Sequence, residues 1–281
     1  MGMKENFKDI YLSLIDRKDS IEHDLQLAQD YAHILEEARD ENSPNYVCGD
    51  FVNRGVVMCC ANPKKGILIT GINPSQRGES KDTFFYTFKD TMSDPERRKG
   101  SYWRNKHSQL IGDDEFLLNH TAYLDLFPFV ESSQNKFSKE VEEKIDFQVR
   151  TLLVTFAEIE KNICPKLIIA ANNKSSYYWG VDKKHPWMGY ALEKVNEIPP
   201  CLKGLSIRLY QIKSKTGFVD SDKRVKQEME SLQDFKESSL NGTYFVDYAM
   251  YDERHKDELK LRPQIVRELF HWIEERIASN K

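Results

Sequence analysis

A polar corner that follows an apolar run is the part of this sequence best suited to chemistry. The run GILIT leads into Gly71, and Asn73, Pro74 and Ser75 come soon after it. A glycine lets a ligand approach the backbone closely, and an asparagine amide can both donate and accept hydrogen bonds. Pro74 stiffens the turn and Ser75 adds a hydroxyl. Asn73 could therefore hold a water or a polar ligand, although an isolated Asn-Pro-Ser triplet by itself favours an Asx-type turn.

Apolar runs and helical spacings predict the elements that must position this corner. The predicted strands are RGVVMCC (54–60) and GILITGI (66–72), which pair through a turn, then TAYLDLFPF (121–129), KLIIAA (166–171), SIRLYQI (206–212) and an edge strand, TYFVDYAMY (243–251). The predicted helices are two between 7 and 42, one over 138–162, one from 172, one over 221–236 and one over 261–279. This alternation predicts an α/β fold with a central, mainly parallel sheet covered on both faces.

The length of the chain favours a single domain. We expect residues 1–281 to fold together, with a helical cap over 1–43 and a core over 44–240. A C-terminal strand and helix, 241–281, are expected to pack on that core.

Composition and charge argue against several classes of protein. The chain is too rich in aromatic residues for disorder, and it contains no run of about 20 apolar residues that would span a membrane. Its charged start argues against a signal peptide, so we expect a cytoplasmic protein. The five cysteines include no C-x-x-C pair, which argues against a disulfide framework or a metal site. The net charge of -4 counts mildly against nucleic-acid binding, but 97–107 and 213–226 are locally basic.

Four corners of the predicted sheet are candidate ligand sites. In an open α/β sheet, ligands bind outside the carboxyl ends of the strands, where loops converge. The rule selects GINPS after Thr70, LFPF after Leu124, ANNKSS after Ile169 and KSKTGF after Ile212.

The order of these segments resembles a known family. GINPS at the end of an early buried strand is similar to the first motif of the uracil-DNA glycosylase superfamily, closest to its mismatch-specific uracil/thymine-DNA glycosylase branch. SYWRN, YLDLFPFVESSQNKFSKE, CPKLIIAANNKSSYYWG and IRLYQIKSKTGF follow in the order of that branch, so the similarity covers about 56–226. It implies a three-layer α/β/α fold with a sheet of four to five strands, preceded here by an N-terminal helical addition.

The resemblance also implies roles for individual residues. Asn73 matches the family position that orients the hydrolytic water, while the base leaves as an anion that the pocket must stabilise. At the last motif the family has His-Pro-Ser or Asn-Pro-Ser, whereas this chain has Lys213 and Ser214, the predicted catalytic partners of Asn73. The predicted substrate contacts are Gly71, Ile72, Pro74, Ser75, Asn172 and the stacking ring of Phe85. The predicted DNA contacts are Arg104, Lys215, Thr216, Gly217 and Phe218, the last as a wedge in the duplex.

Three hypotheses about function remain open at this point. The first is a DNA glycosylase that acts as a monomer, without metal or cofactor and away from membranes, on a damaged or mismatched base in double-stranded DNA. The second is a catalytically silent member of the same fold that binds nucleic acid or a nucleotide, because the last motif is altered. The third is a small-molecule α/β enzyme, which the acidic net charge favours. The positions of Lys213, Ser214 and His185 relative to Asn73 are expected to separate the first two.

Overall fold

The computed structural model describes residues 23–60, 64–74, 84–93, 102–181, 188–205, 207–215, 237–248 and 260–279. The helices in these ranges are α1 (His23–Arg39), α2 (Phe88–Ser93), α3 (Tyr102–Ile111), α4 (Glu115–His120), α5 (Gln134–Val141), α6 (Ile145–Glu158), α7 (Asn173–Tyr178) and α8 (Pro263–Ser279). Short 3₁₀ turns cover Asp50–Asn53 and Pro200–Leu202, and a π-helical turn, Ile159–Ile163, follows α6. The strands are β1 (Val57–Cys60), β2 (Ile67–Gly71), β3 (Phe84–Thr87), β4 (Thr121–Asp125), β5 (Leu167–Ala170), β6 (Tyr190–Lys194), β7 (Arg208–Lys215) and β8 (Tyr244–Asp247).

A six-stranded sheet in the order β4-β2-β5-β8-β7-β6 forms the centre of the molecule. The first four strands are parallel, and β7 runs antiparallel to both β8 and β6. The predicted α/β fold with a mainly parallel sheet is confirmed. The sheet contains six strands, whereas four to five were expected.

Helices cover both faces of the sheet because its central strands are apolar on both sides. On one face, α1 and α6 pack against Leu68, Ile168 and Phe245. On the other face, α3, α4 and α8 pack against side chains of the sheet that include Ile69 and Val246. A strand buried on both faces needs a continuous apolar run, which is the pattern of β2 and β5.

Three predictions about the strands are wrong. The strand β1 pairs in parallel with β3 in a separate two-stranded sheet and does not pair with β2, whose two edges are taken by β4 and β5. The strand β8 lies between β5 and β7, so it is not an edge strand. The predicted core ends at residue 240, and this boundary would therefore separate β8 from β5 and β7, the strands on both of its sides. The third error concerns the ligand corner predicted after Ile212, because β7 runs antiparallel to β8 and so does not end at the carboxyl edge of the parallel strands.

One of the helix predictions also needs correction. The helix predicted over 138–162 is two helices, α5 and α6, and the first of them begins after Ser133, whose hydroxyl accepts a hydrogen bond from Lys136 N at 3.2 Å. In the predicted N-terminal cap, α1 packs on α6, and the hydroxyls of Tyr31 and Thr155 lie 2.8 Å apart. The helices predicted nearest the N-terminus and over 221–236 fall outside the described residues.

None of the helices within the described ranges is both long enough and apolar enough to cross a membrane.

Candidate functional site

The corner after β2 is held by backbone hydrogen bonds that continue beyond the ends of the strands. Leu126 N donates to Gly71 O at 3.1 Å, and Phe127 N donates to Ile72 O at 2.9 Å. Further along the chain, Glu131 N donates to Pro74 O at 3.2 Å. The segments that follow β2 and β4 therefore form one rigid unit at the carboxyl edge of the parallel strands.

Asn73 is buried in this corner, with 2% of its surface exposed. Its side-chain nitrogen donates to Pro74 O at 3.2 Å and to Phe129 O at 3.4 Å, which fixes the orientation of the amide. Its carbonyl oxygen Oδ1 is buried and has no hydrogen-bond partner among the described residues. An Asx-type turn would use that oxygen as an acceptor, so the described contacts do not support the turn interpretation.

Asp125 ends β4 directly beside Gly71, its register partner on β2. A Cβ atom at position 71 would collide with Asp125 Oδ1 and lie 2.5 Å from the Tyr123 hydroxyl, so the glycine makes room for this pair. The Tyr123 hydroxyl donates to Asp125 Oδ1 at 2.7 Å. Burial raises the pKa of Asp125 to about 7, while the hydrogen bond from Tyr123 opposes the rise.

An aromatic cluster surrounds the Tyr123 ring on the same face of the sheet. The ring of Phe88 stacks on it with centroids 6.2 Å apart, and the rings of Trp103 and His107 meet it edge-on at 5.0 Å. Burial lowers the pKa of His107 to about 4, although a hydrogen bond between Nδ1 and Trp103 O opposes this change. His107 is therefore neutral at physiological pH.

The neighbouring strand β5 supplies a second polar corner. Asn172 caps α7, with its Oδ1 accepting from Ser175 N at 2.8 Å, and Ser175 Oγ donates to Thr70 O on β2 at 3.4 Å. Asn172 Nδ2 and Thr70 Oγ1 are buried without a hydrogen-bond partner among the described residues. An amide donor, a hydroxyl and an amide acceptor, the last being Asn73 Oδ1, are thus buried at one edge of the sheet without a hydrogen-bond partner in the described part of the chain.

At the end of β8, the buried carboxylate of Asp247 accepts a hydrogen bond from Ser176 Oγ at 2.7 Å and pairs with Arg208. The Arg208 side chain is 57% exposed at the start of β7, which lies at this edge because β7 is antiparallel. Neither Asp247 nor Asp125 was predicted as a site residue. Both have the same sequence signal, an aspartate that ends an apolar strand beside the predicted ligand edge.

Lys213 and Ser214 lie at the opposite edge of the sheet from Asn73. Gln211 on β7 is level with Tyr244, the first residue of β8, so the rest of β7 extends past the amino ends of the parallel strands. The predicted arrangement of Lys213 and Ser214 beside Asn73 is therefore wrong, because it assumed that β7 was parallel. Lys213 is exposed, donates to Gln211 Oε1 at 2.6 Å and lies 3.6 Å from a carboxylate oxygen of Glu193.

Lys215 does not face DNA, because it is buried with 4% of its surface exposed. Its ammonium group forms an ion pair with Glu160 at 3.0 Å and lies 5.4 Å from the centroid of the Tyr190 ring. The predicted contact of Lys215 with DNA is wrong, because its ammonium group is paired with the buried carboxylate of Glu160. The residue joins the end of β7 to the π-helical turn after α6.

The remaining predicted residues are spread over several elements. Phe85 lies on β3 of the small sheet and is 37% exposed, while Arg104 is half-buried on α3. Ser75, His185, Thr216, Gly217 and Phe218 lie outside the described residues. The described structure therefore brings together Gly71, Ile72, Asn73, Pro74 and Asn172 of the predicted set.

A shallow cavity of about 280 Å³ lies at the edge of the sheet opposite Asn73, between β6, β7 and α8. Four of its charged lining groups form ion pairs, Lys213 with Glu193 and Arg276 with Glu197. Across the described ranges, no group of three His, Cys, Asp or Glu side chains is placed to hold a metal ion.

No family model matches the chain, and no curated protein or solved structure matches it significantly. The function proposed for this chain therefore depends on its own residues and geometry.

Proposed function

We propose that this protein hydrolyses the N-glycosidic bond of a damaged or mismatched, uracil-type base that is flipped out of DNA. The observation that carries the proposal is the anchored amide of Asn73, whose nitrogen is held by two backbone carbonyls while its oxygen is left without a described partner. An acceptor fixed in this way can accept a hydrogen bond from a water molecule and orient a lone pair of that water toward the anomeric carbon of a sugar. The effect is positional, because an amide cannot deprotonate the water.

Stabilisation of the leaving base is the second requirement of this chemistry. The base departs as an anion, so a donor must face it. Asn172, which follows the neighbouring strand β5, has a buried donor, Nδ2, without a described partner, and this is the donor we assign. This assignment replaces Lys213 and Ser214, which lie at the opposite edge.

The strand order supports placing the last motif of the family after β8 and not after β7. In our proposal the fold is a three-layer uracil-DNA glycosylase-like fold, and β8 is its final parallel strand. Asp247 and Tyr248 then occupy the place first given to Lys213 and Ser214. The backbone supports this placement, because Tyr248 N donates to Ala170 O at 3.2 Å and so continues the parallel pairing with β5.

Release of free base from a panel of duplex oligonucleotides tests the proposal. The panel contains uracil opposite guanine, uracil opposite adenine and thymine opposite guanine, with the undamaged duplex as a blank. We expect Asn73→Ala to lower the single-turnover rate by about 100-fold, because a misplaced nucleophile reduces rates on this order. Asn241→Ala, at an exposed turn, is the matched control and should leave the rate unchanged. Absence of abasic product with any duplex at high enzyme concentration would refute the proposal.

A silent binding protein is the second candidate, because the positions aligned with the last motif lie away from Asn73. Such a protein would bind duplex with an affinity that falls as salt rises, yet form no product. Fluorescence anisotropy at two salt concentrations, measured on the same duplexes, separates this outcome from hydrolysis. Absence of duplex binding at low salt would exclude this second candidate.

A further inference from the structure

Asp125 is a buried carboxyl group without a cation. It is 7% exposed, and within the described part of the chain the Tyr123 hydroxyl is its hydrogen-bond donor, at 2.7 Å, while no Lys or Arg forms an ion pair with it. Burying a carboxylate without a cation is unfavourable, since the charged form loses its hydration. Groups of this kind are concentrated at functional sites.

The position of Asp125 connects it to the Asn73 corner. Its carboxyl oxygen occupies the space above Gly71 that a Cβ atom would take. Asn73 follows Gly71 by two residues, and the hydrogen bond from Leu126 N to Gly71 O fixes the two segments against each other. The carboxyl group and the anchored amide therefore belong to one rigid corner at the ligand edge of the sheet.

Among the described residues, the groups that face Asp125 leave its charge uncompensated. From β4 comes the Tyr123 hydroxyl, and from β2 comes Gly71, which has no side chain. From β1 comes the Cys59 thiol, whose pKa is raised by burial, so it stays uncharged at neutral pH. From α3 comes His107, which meets Tyr123 and is neutral because burial lowers its pKa. Desolvation is thus the dominant influence on Asp125, and its pKa of about 7 lies near physiological pH.

The geometry points to Asp125 as the general base that takes the proton from the water held by Asn73. This inference rests on the hydrolysis proposed above and adds the proton acceptor that an amide cannot provide. In the step, the water oxygen bonds to the anomeric carbon as the bond from that carbon to the base nitrogen breaks. The bonding electrons leave with the base as its anion, and the water proton moves to Asp125. The anion is later protonated by solvent.

The test is the pH dependence of single-turnover base release by the full chain and by Asp125→Asn. The wild type should lose activity about tenfold for each pH unit below 7, because the carboxyl group must be ionised to accept a proton. Asp125→Asn, which keeps the shape of the side chain, should be at least 100-fold slower at pH 8 and lack this acid limb. Asp40→Asn, at an exposed turn, is the matched control and should retain the wild-type profile.

Tyr123→Phe provides a second variant that does not remove the acid. The hydroxyl of Tyr123 favours the ionised carboxyl, so its loss should move the acid limb to higher pH while activity above that limb is retained. An unchanged limb in this variant would overturn the role of Asp125, even if Asp125→Asn failed to fold. A structural role alone would lower the rate without moving the limb.

The possible outcomes separate the two proposals. If the wild type releases no base from any duplex, the proposed hydrolysis fails, and the role of Asp125 fails with it. If Asn73→Ala is inactive but Asp125→Asn keeps the wild-type rate and acid limb, hydrolysis stands and the inference about Asp125 is wrong. Loss of the limb in Asp125→Asn, together with its shift in Tyr123→Phe, supports both.

Discussion

The carboxyl group of Asp125 makes the stability of the fold depend on pH in an unusual direction. Its ordinary pKa of 3.8 rises to about 7 in the folded chain, so the folded state holds a proton that the unfolded state has already released. The folded state is therefore destabilised progressively as pH rises from about 4 to 7. The full effect is about 4 kcal/mol, by the free-energy equivalent of a pKa difference.

We expect Asp125→Asn to be more stable than the wild type at pH 8 and to lose that advantage at pH 4. The measurement is urea unfolding at both pH values, and the difference between the two proteins isolates this one group from all the others that titrate. Asp40→Asn, an exposed replacement, should show no such pH-dependent gain. An equal difference between wild type and Asp125→Asn at both pH values would show that the carboxyl titrates normally in the folded protein.

At the scale of single residues, the sequence predicts the location of the site better than its chemistry. Asn73 could be identified because Gly, Asn and Pro follow an apolar run that must be buried. Asp125 has a sequence signal, because it ends an apolar strand, but that signal does not reveal its role, which depends on the missing side chain at Gly71 and on the hydroxyl of Tyr123. The contact with Gly71 arises from the register of two parallel strands, which is not encoded in either segment alone.

Among the elements, β7 and the π-helical turn are joined by a buried ion pair between Lys215 and Glu160, 3.0 Å apart. Ser238 Oγ also donates to Glu160, at 3.0 Å. We expect Lys215→Met to lower the free energy of unfolding by about 3 to 5 kcal/mol, since it leaves a buried carboxylate without its cation. Urea unfolding is the measurement.

Lys213→Met is the matched control for this pair, because Lys213 lies on the same strand and is exposed. It should change the stability by less than about 1 kcal/mol. Adding Glu160→Gln to Lys215→Met removes the stranded charge and should restore most of the lost stability. If the double variant is as unstable as Lys215→Met alone, the packing of the lysine stem, and not its charge, is what matters.

The strands in the apolar runs were largely predictable from the sequence, but which strands lie side by side, and in which direction, was not. The apolar runs of β2, β4, β5, β7 and β8 all mark real strands. The direction of each strand could not be predicted, because it depends on how the chain crosses between strands. Since β7 is antiparallel, Lys213 and Ser214 lie at the edge of the sheet opposite Asn73. The pairing of β1 with β3 could not be predicted either, because it depends on β4 and β5 occupying both edges of β2.

At the scale of the whole molecule, the C-terminal segment is part of the core. The strand β8 pairs on both sides, with β5 and β7, and all four of its residues are buried. Helix α8 buries Val266, Leu269, Phe270 and Ile273 against the sheet. At about 1.5 kcal/mol or more for each buried apolar side chain, these four and the three apolar residues of β8 contribute about 10 kcal/mol. That contribution is as large as the net stability of a typical domain.

We therefore expect a chain that ends after Leu240 to lose cooperative unfolding, although the sequence predicted a core that ends there. Removing β8 would expose the edges of both β5 and β7, so the sheet would be split into two parts. The measurement is circular dichroism during thermal and urea unfolding, and a chain that ends at Ser279 is the control because it keeps α8 intact. A cooperative transition in the shorter chain, at a midpoint near that of the control, would mean that the other three parallel strands, β4, β2 and β5, do not depend on β8. If the chain that ends after Leu240 loses cooperative unfolding and the control does not, the six strands form a single folding unit.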